Sequence, residues 1–72
     1  MAVTEPDVLS NWRHKKRGTI YYIVGNARSQ SINPHFDDLP MVIYRSIEDG
    51  QLWCRPTGEF LDGRFDPVPG IG

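Results

Sequence analysis

Thr19-Ile20-Tyr21-Tyr22-Ile23-Val24 is the stretch that decides the fold. Every residue in it is β-branched or aromatic, the types that fit a pleated surface. The run is apolar on both faces, as expected of a strand wrapped inside a small barrel. Gly25 follows and predicts a bulge or sharp bend, with Asn26-Ala27-Arg28 continuing the strand beyond it. Toward the N-terminus, Lys15-Lys16-Arg17-Gly18 reads as a turn in which Gly18 supplies the positive φ, and Trp12-Arg13-His14 as a short strand. Residues 1–11, with Pro6 among acidic and polar neighbours, read as a flexible arm from which Val8 and Leu9 can dock on the body.

Toward the C-terminus, residues 29–38 have loop chemistry throughout, and Pro40 delays the next strand until Met41-Val42-Ile43-Tyr44-Arg45-Ser46. Asp49-Gly50 is a hairpin signal, and Gln51-Leu52-Trp53-Cys54-Arg55 is the return strand, closed by Pro56, which cannot donate to a ladder. Thr57-Gly58-Glu59-Phe60-Leu61 predicts a single helical or 3₁₀ turn with Thr57 as its cap. Asp62-Gly63 is a further turn, residues 64–68 form a short edge strand, and residues 69–72 a frayed end. The order (strand, strand, long loop, strand, tight hairpin, strand, one helical turn, strand) predicts an all-β domain over residues 12–68. Its architecture is a five-stranded SH3-like barrel, with a strongly bent antiparallel sheet as the nearest competitor.

With 72 residues the chain has room for one core, and a domain of this size buries only about 60% of the surface its unfolded chain exposes. A deep, water-free catalytic pocket is hard to build on that scale. Eight basic and nine acidic residues give a net charge of -1, which argues against nucleic-acid or membrane binding driven by bulk charge. The charge is unevenly spread: Arg13, Lys15, Lys16 and Arg17 fall together around His14. Cys54 is the only cysteine, so neither an internal disulfide nor a multi-cysteine zinc site can form, and a reducing compartment is expected. The acidic N-terminal residues lack the pattern of a signal peptide, and no apolar run reaches the roughly 18 residues of a membrane span. These features predict a cytoplasmic protein that needs no cofactor.

Two constellations carry chemistry. The basic cluster, with Trp12 and Tyr21 beside it, can act as an anion site in which cationic heads and turn N–H groups hold a phosphate while a ring stacks a base. It can equally be a solvated hairpin turn. In the second constellation, strand alternation puts Leu52 and Cys54 on one face and Trp53 and Arg55 on the other. Trp53 is expected in the core, with Arg55 reaching a carboxylate such as Glu59. The reverse assignment makes Trp53 and Arg55 an exposed binding surface, and Tyr44 and Arg45 on the pairing strand move with the choice. His35 with Asp37 and Asp38 fits neither a zinc module nor a calcium loop, and mid-strand Cys54 reads as a small buried hydrophobe. No phosphate loop or serine elbow is present, so an enzyme is not expected.

Trp12-Arg13-His14-Lys15-Lys16-Arg17-Gly18 with Tyr21, Ile23, Gly25, Ala27 and Arg28 forms one block of a longer pattern. Val42-Ile43-Tyr44-Arg45 and Asp49-Gly50-Gln51-Leu52-Trp53-Cys54-Arg55-Pro56, ending at Glu59-Phe60, form the other. Together they resemble the small bacterial and phage proteins grouped as domain of unknown function 1653. The tail from Glu59 to Phe65 looks most like the phage and prophage members. The chain departs from that pattern in its long loop at residues 29–38 and in lacking a His soon after Arg28. The resemblance implies a fold and a bacterial cytoplasmic setting, not a reaction. The leading expectation is therefore a binding module for a nucleotide or short nucleic acid, using Arg13, His14, Lys15, Lys16, Arg17, Tyr44, Arg45, Trp53 and Arg55. The competing one is a protein-interaction module, binding a host protein or weakly self-associating through an open strand edge.

Overall fold

Ile20–Arg28 forms β2, the longest strand in a computed structural model that describes residues 6–68. β2 is central because it pairs on both sides. Asn11–His14 (β1) joins it through the basic turn, and Pro40–Ser46 (β3) joins it through the long loop. Leu52–Pro56 (β4) pairs with β3, and after one helical turn, Thr57–Phe60 (α1), the chain adds Phe65–Pro67 (β5) beside β1. The result is a five-stranded antiparallel sheet in the order β4-β3-β2-β1-β5 with one short helix near its end. The β2–β3 register shifts between Ile23 and Gly25, the bulge that Gly25 predicts.

Alternation along these strands sorts the side chains. Trp12, Tyr21, Ser46, Tyr44, Trp53, Val42 and Arg55 share an inner face through their register pairs. Tyr21, Ile23, Val42 and Tyr44 form the core there with Phe60 of α1 and Phe65 of β5, and Trp12 packs against it. The Phe60 and Phe65 rings stack at 4.2 Å, and Trp12 and Tyr44 each approach Phe60 at 5.2 Å. Such ring pairs contribute about 0.5–1.5 kcal/mol each beyond the area they bury. β4 and β5 end opposite sides of the ladder, yet the Arg55 guanidinium stands 5.3 Å from the Phe65 ring. The sheet is therefore curved around its aromatic core.

Several local expectations are corrected. Trp53 faces inward as Tyr44's partner but is 48% exposed, because β4 is an edge strand with no neighbour to cover the indole. Trp12, Phe60 and Phe65 fill the aromatic core in its place. Cys54 is exposed, since alternation turns it to the outer face of the same edge strand. α1 has Pro56 at its N-cap position, and Thr57 makes no capping bond. From residue 6 onward, the N-terminal segment is held by backbone contacts. Pro6 is fully buried, Leu9 N–H donates to Ile23 O, and Ile23 N–H donates to Ser10 O. The Val8 and Leu9 side chains stay exposed. Residues 1–5 of the expected arm and the expected frayed end at 69–72 lie outside the described residues.

Candidate functional site: a basic pocket beside the first hairpin

The β1–β2 turn is closed by backbone bonds. His14 N–H donates to Thr19 O, Gly18 N–H donates to His14 O, and Gly18 takes φ +76°, where a side chain would be strained. Arg17 N–H also donates to His14 Nδ1 at 3.2 Å, which makes Nδ1 the acceptor and leaves Nε2 as the donor nitrogen of the neutral ring. The same ring lies edge-on to Phe65 at 5.0 Å, fixing it above the end of the core. Backbone bonding thus uses up the turn's interior and displays the Lys15, Lys16 and Arg17 side chains.

β5 brings a further part of the site. His14 pairs with Phe65, and Lys15 N–H donates to Arg64 O at 3.0 Å, so Arg64 stands next to the basic turn. From the other end of the sheet, Arg55 crosses the inner face. Its Nε donates to the Tyr44 hydroxyl at 3.0 Å, its plane covers Phe65, and its Nη1 is buried without a hydrogen-bond partner. His14, Lys15, Lys16, Arg17, Arg55 and Arg64 together line one open pocket of about 670 Å³. Among the described residues no carboxylate lines it. Two of its cations are partly neutralised from outside, Lys15 by Asp66 at 3.4 Å and Arg64 by Asp62 at 3.0 Å. Among the described residues no ion pair engages Lys16, Arg17 or Arg55.

The electrostatics register on His14. Desolvation first, then the charges of Arg17, Arg55, Arg64 and Lys16, hold the His14 imidazole below the ordinary histidine value. Only the second cause, the repulsion from these four cations, favours a bound anion. The unpartnered Arg55 nitrogen is a further donor already stripped of water.

Of the residues expected at the site, His14, Lys15, Lys16, Arg17 and Arg55 come together. Tyr44 lies beneath them, 3% exposed, holding Arg55 through its hydroxyl. Arg13 and Arg45 alternate to the outer face, paired in register with Ile20 and with Tyr22 and Leu52. Trp53 does not line the pocket, so no indole of this chain is placed there to stack a base. Arg55 meets Tyr44 and Phe65, not the expected Glu59. Arg64 was not expected; it belongs to a turn whose position depends on the β1–β5 pairing, and nothing local in the sequence marks it.

Elsewhere, the acids beside His35 are engaged within their own loop: Asp37 accepts from Ser31 N–H at 2.9 Å and Asp38 from Arg28 Nε at 2.5 Å. Among the described residues no group of three His, Cys, Asp or Glu could hold a metal ion, and no helix is long and apolar enough to cross a membrane. Comparison with family models, with curated proteins and with solved structures finds no match.

Proposed function

We propose that this protein is a non-catalytic binding module for a phosphate-bearing ligand, a nucleotide or short single-stranded nucleic acid. The observation that carries the reading is the pocket itself, in which five cations and His14 converge with no acid among the described lining residues. Phosphate oxygens suit it because the Arg55 and Arg64 guanidinium groups present forked donors, while Lys16 and Lys15 supply point charges. Cys54 and His14 stand on opposite faces of the sheet, which speaks against a thiol–imidazole pair. The strand order and the helical turn before β5 support a small SH3-like barrel. The motif resemblance alone supports a phage or prophage protein of the bacterial cytoplasm.

Calorimetric titration with nucleoside triphosphates and with a short single-stranded oligonucleotide tests the reading. Binding at low salt that is lost in a Lys15→Ala, Lys16→Ala, Arg17→Ala triple variant is the expected result. No binding, or binding that the triple change leaves intact, overturns it. A second reading, a protein-interaction module, is favoured by the exposed apolar side chains of Leu52 and Trp53 on an edge strand.

A further inference from the structure

A nucleic-acid ligand offers phosphate in two chemical forms. An internal diester carries one charge on two free oxygens, whereas a terminal monoester carries close to two charges on three. The pocket gathers its cations around a point and does not draw them out along a groove. Lys16, Arg17, Arg55 and Arg64 come from three separate segments of the chain, and all four repel the single His14 imidazole. The His14 ring lies 5.0 Å from the Phe65 ring and the Arg55 guanidinium 5.3 Å from it, so both rest on one aromatic support. A groove that follows a strand sets its charges in a line and interleaves rings on which successive bases stack. Among the described residues no aromatic ring besides His14 lines this pocket, and the His14 ring is already edge-on to Phe65.

Burial grades the site in depth. His14 and Arg55 are half-buried, and Lys15, Lys16, Arg17 and Arg64 stand exposed around them. Arg55 is tied to the Tyr44 hydroxyl at 3.0 Å and laid over Phe65, so its charge is fixed at the inner end. Among the described residues only Nδ1 of His14 is hydrogen-bonded, which leaves Nε2–H as a neutral donor beside these charges. The ligand therefore has to bring its charge to the cations. A projecting terminal group does so, and a diester flanked by sugars on both sides does not. The charge balance agrees. Lys15 and Arg64 hold Asp66 and Asp62, which leaves Lys16, Arg17 and Arg55 uncommitted. A terminal phosphate neutralises close to two of these three, and one neighbouring phosphate the other.

Resting on the phosphate-binding reading above, we infer that the pocket recognises the end of its ligand, a terminal phosphate monoester with one further phosphate behind it, and not the internal diesters of a strand. A 5′-phosphorylated single strand and a nucleoside diphosphate both present that chemistry.

Calorimetric titration of the whole chain at about 50 mM salt and about pH 8, above the second phosphate ionisation, tests this. The probes are a short oligothymidylate with a 5′-phosphate, the same strand with hydroxyl ends, and the same strand with its 5′-phosphate capped as the methyl ester, which removes one charge. One added negative charge facing two or more cations at contact distance amounts to about tenfold in affinity, so the phosphorylated strand should bind about tenfold tighter than either control. Lys16→Ala, at an exposed position, should lower that ratio about two- to fivefold. A phosphorylated strand less than about fivefold tighter than either control, or a ratio that Lys16→Ala does not lower, overturns the inference. If all three strands bind alike, the anion site stands and end recognition falls; if none binds, both fall. Thymidine diphosphate identifies the source of the phosphate. Affinity equal to that of the phosphorylated strand supports a free nucleotide, and weaker affinity supports a strand end. A phosphoserine peptide that binds as tightly as the phosphorylated strand overturns a nucleic-acid or nucleotide ligand.

Discussion

Raising salt should weaken ligand binding by an amount that the pocket's charge pairing sets. Lys15 and Arg64 already hold carboxylates, and His14 is depressed, which leaves Lys16, Arg17 and Arg55 as the uncommitted cations. For single-stranded nucleic acid the logarithm of affinity falls by about 0.7 per neutralised phosphate for each decade of salt. Three contacts give a slope near -2.1, so going from about 50 to about 200 mM salt costs about twentyfold in affinity. If Lys15 and Arg64 abandon their carboxylates for the ligand, five contacts raise that loss to about 130-fold. Fluorescence anisotropy of a labelled oligothymidylate across that range measures the slope. Lys16→Ala with Arg17→Ala leaves one uncommitted cation, and the loss should shrink to about threefold. An affinity indifferent to salt, or a slope the double variant does not flatten, would refute the assignment of these residues to the ligand.

Arg55→Met should cost at most about 1 kcal/mol of stability, because the guanidinium occupies an apolar site with one nitrogen unpartnered; the same change should abolish ligand binding. A loss of several kcal/mol in urea denaturation, or unchanged binding, contradicts this. Phe60→Ala removes a fully buried ring that touches Trp12, Tyr44 and Phe65, a deletion costing about 3–5 kcal/mol. A core this small supplies roughly that much in total, so circular dichroism should find the variant unfolded at room temperature. The His14 effect has a definite sign. Its folded value lies below its unfolded one, so protons favour the unfolded chain, and the contribution is whole above the ordinary histidine value and lost as pH falls from there through the lower folded value. The urea midpoint of the wild type should drop between pH 7.5 and 5 more than that of His14→Gln. A bound phosphate ligand should raise the His14 value in a proton NMR titration.

The strands and turns were legible because their causes are local. The unbroken β-branched and aromatic run predicts β2, Gly25 its bulge, and Asp49-Gly50 the hairpin with Gly50 at φ +73°. The basic turn could be named from its residues alone, since a tight turn has no interior for four charged or bulky side chains to enter. Period-two alternation also told that Trp53 and Arg55 share a face. What alternation cannot tell is whether another strand lies beyond. Trp53 is exposed because β4 ends the sheet, and that depends on where β5 goes. The same non-local choice placed β5 against β1, carried Arg64 to the basic turn, and curved the sheet until Arg55 reached Phe65. Local propensity determined the elements of this protein and one half of its pocket. The pairing of its first and last strands, which is won by burying the aromatic cluster between them, decided the other half.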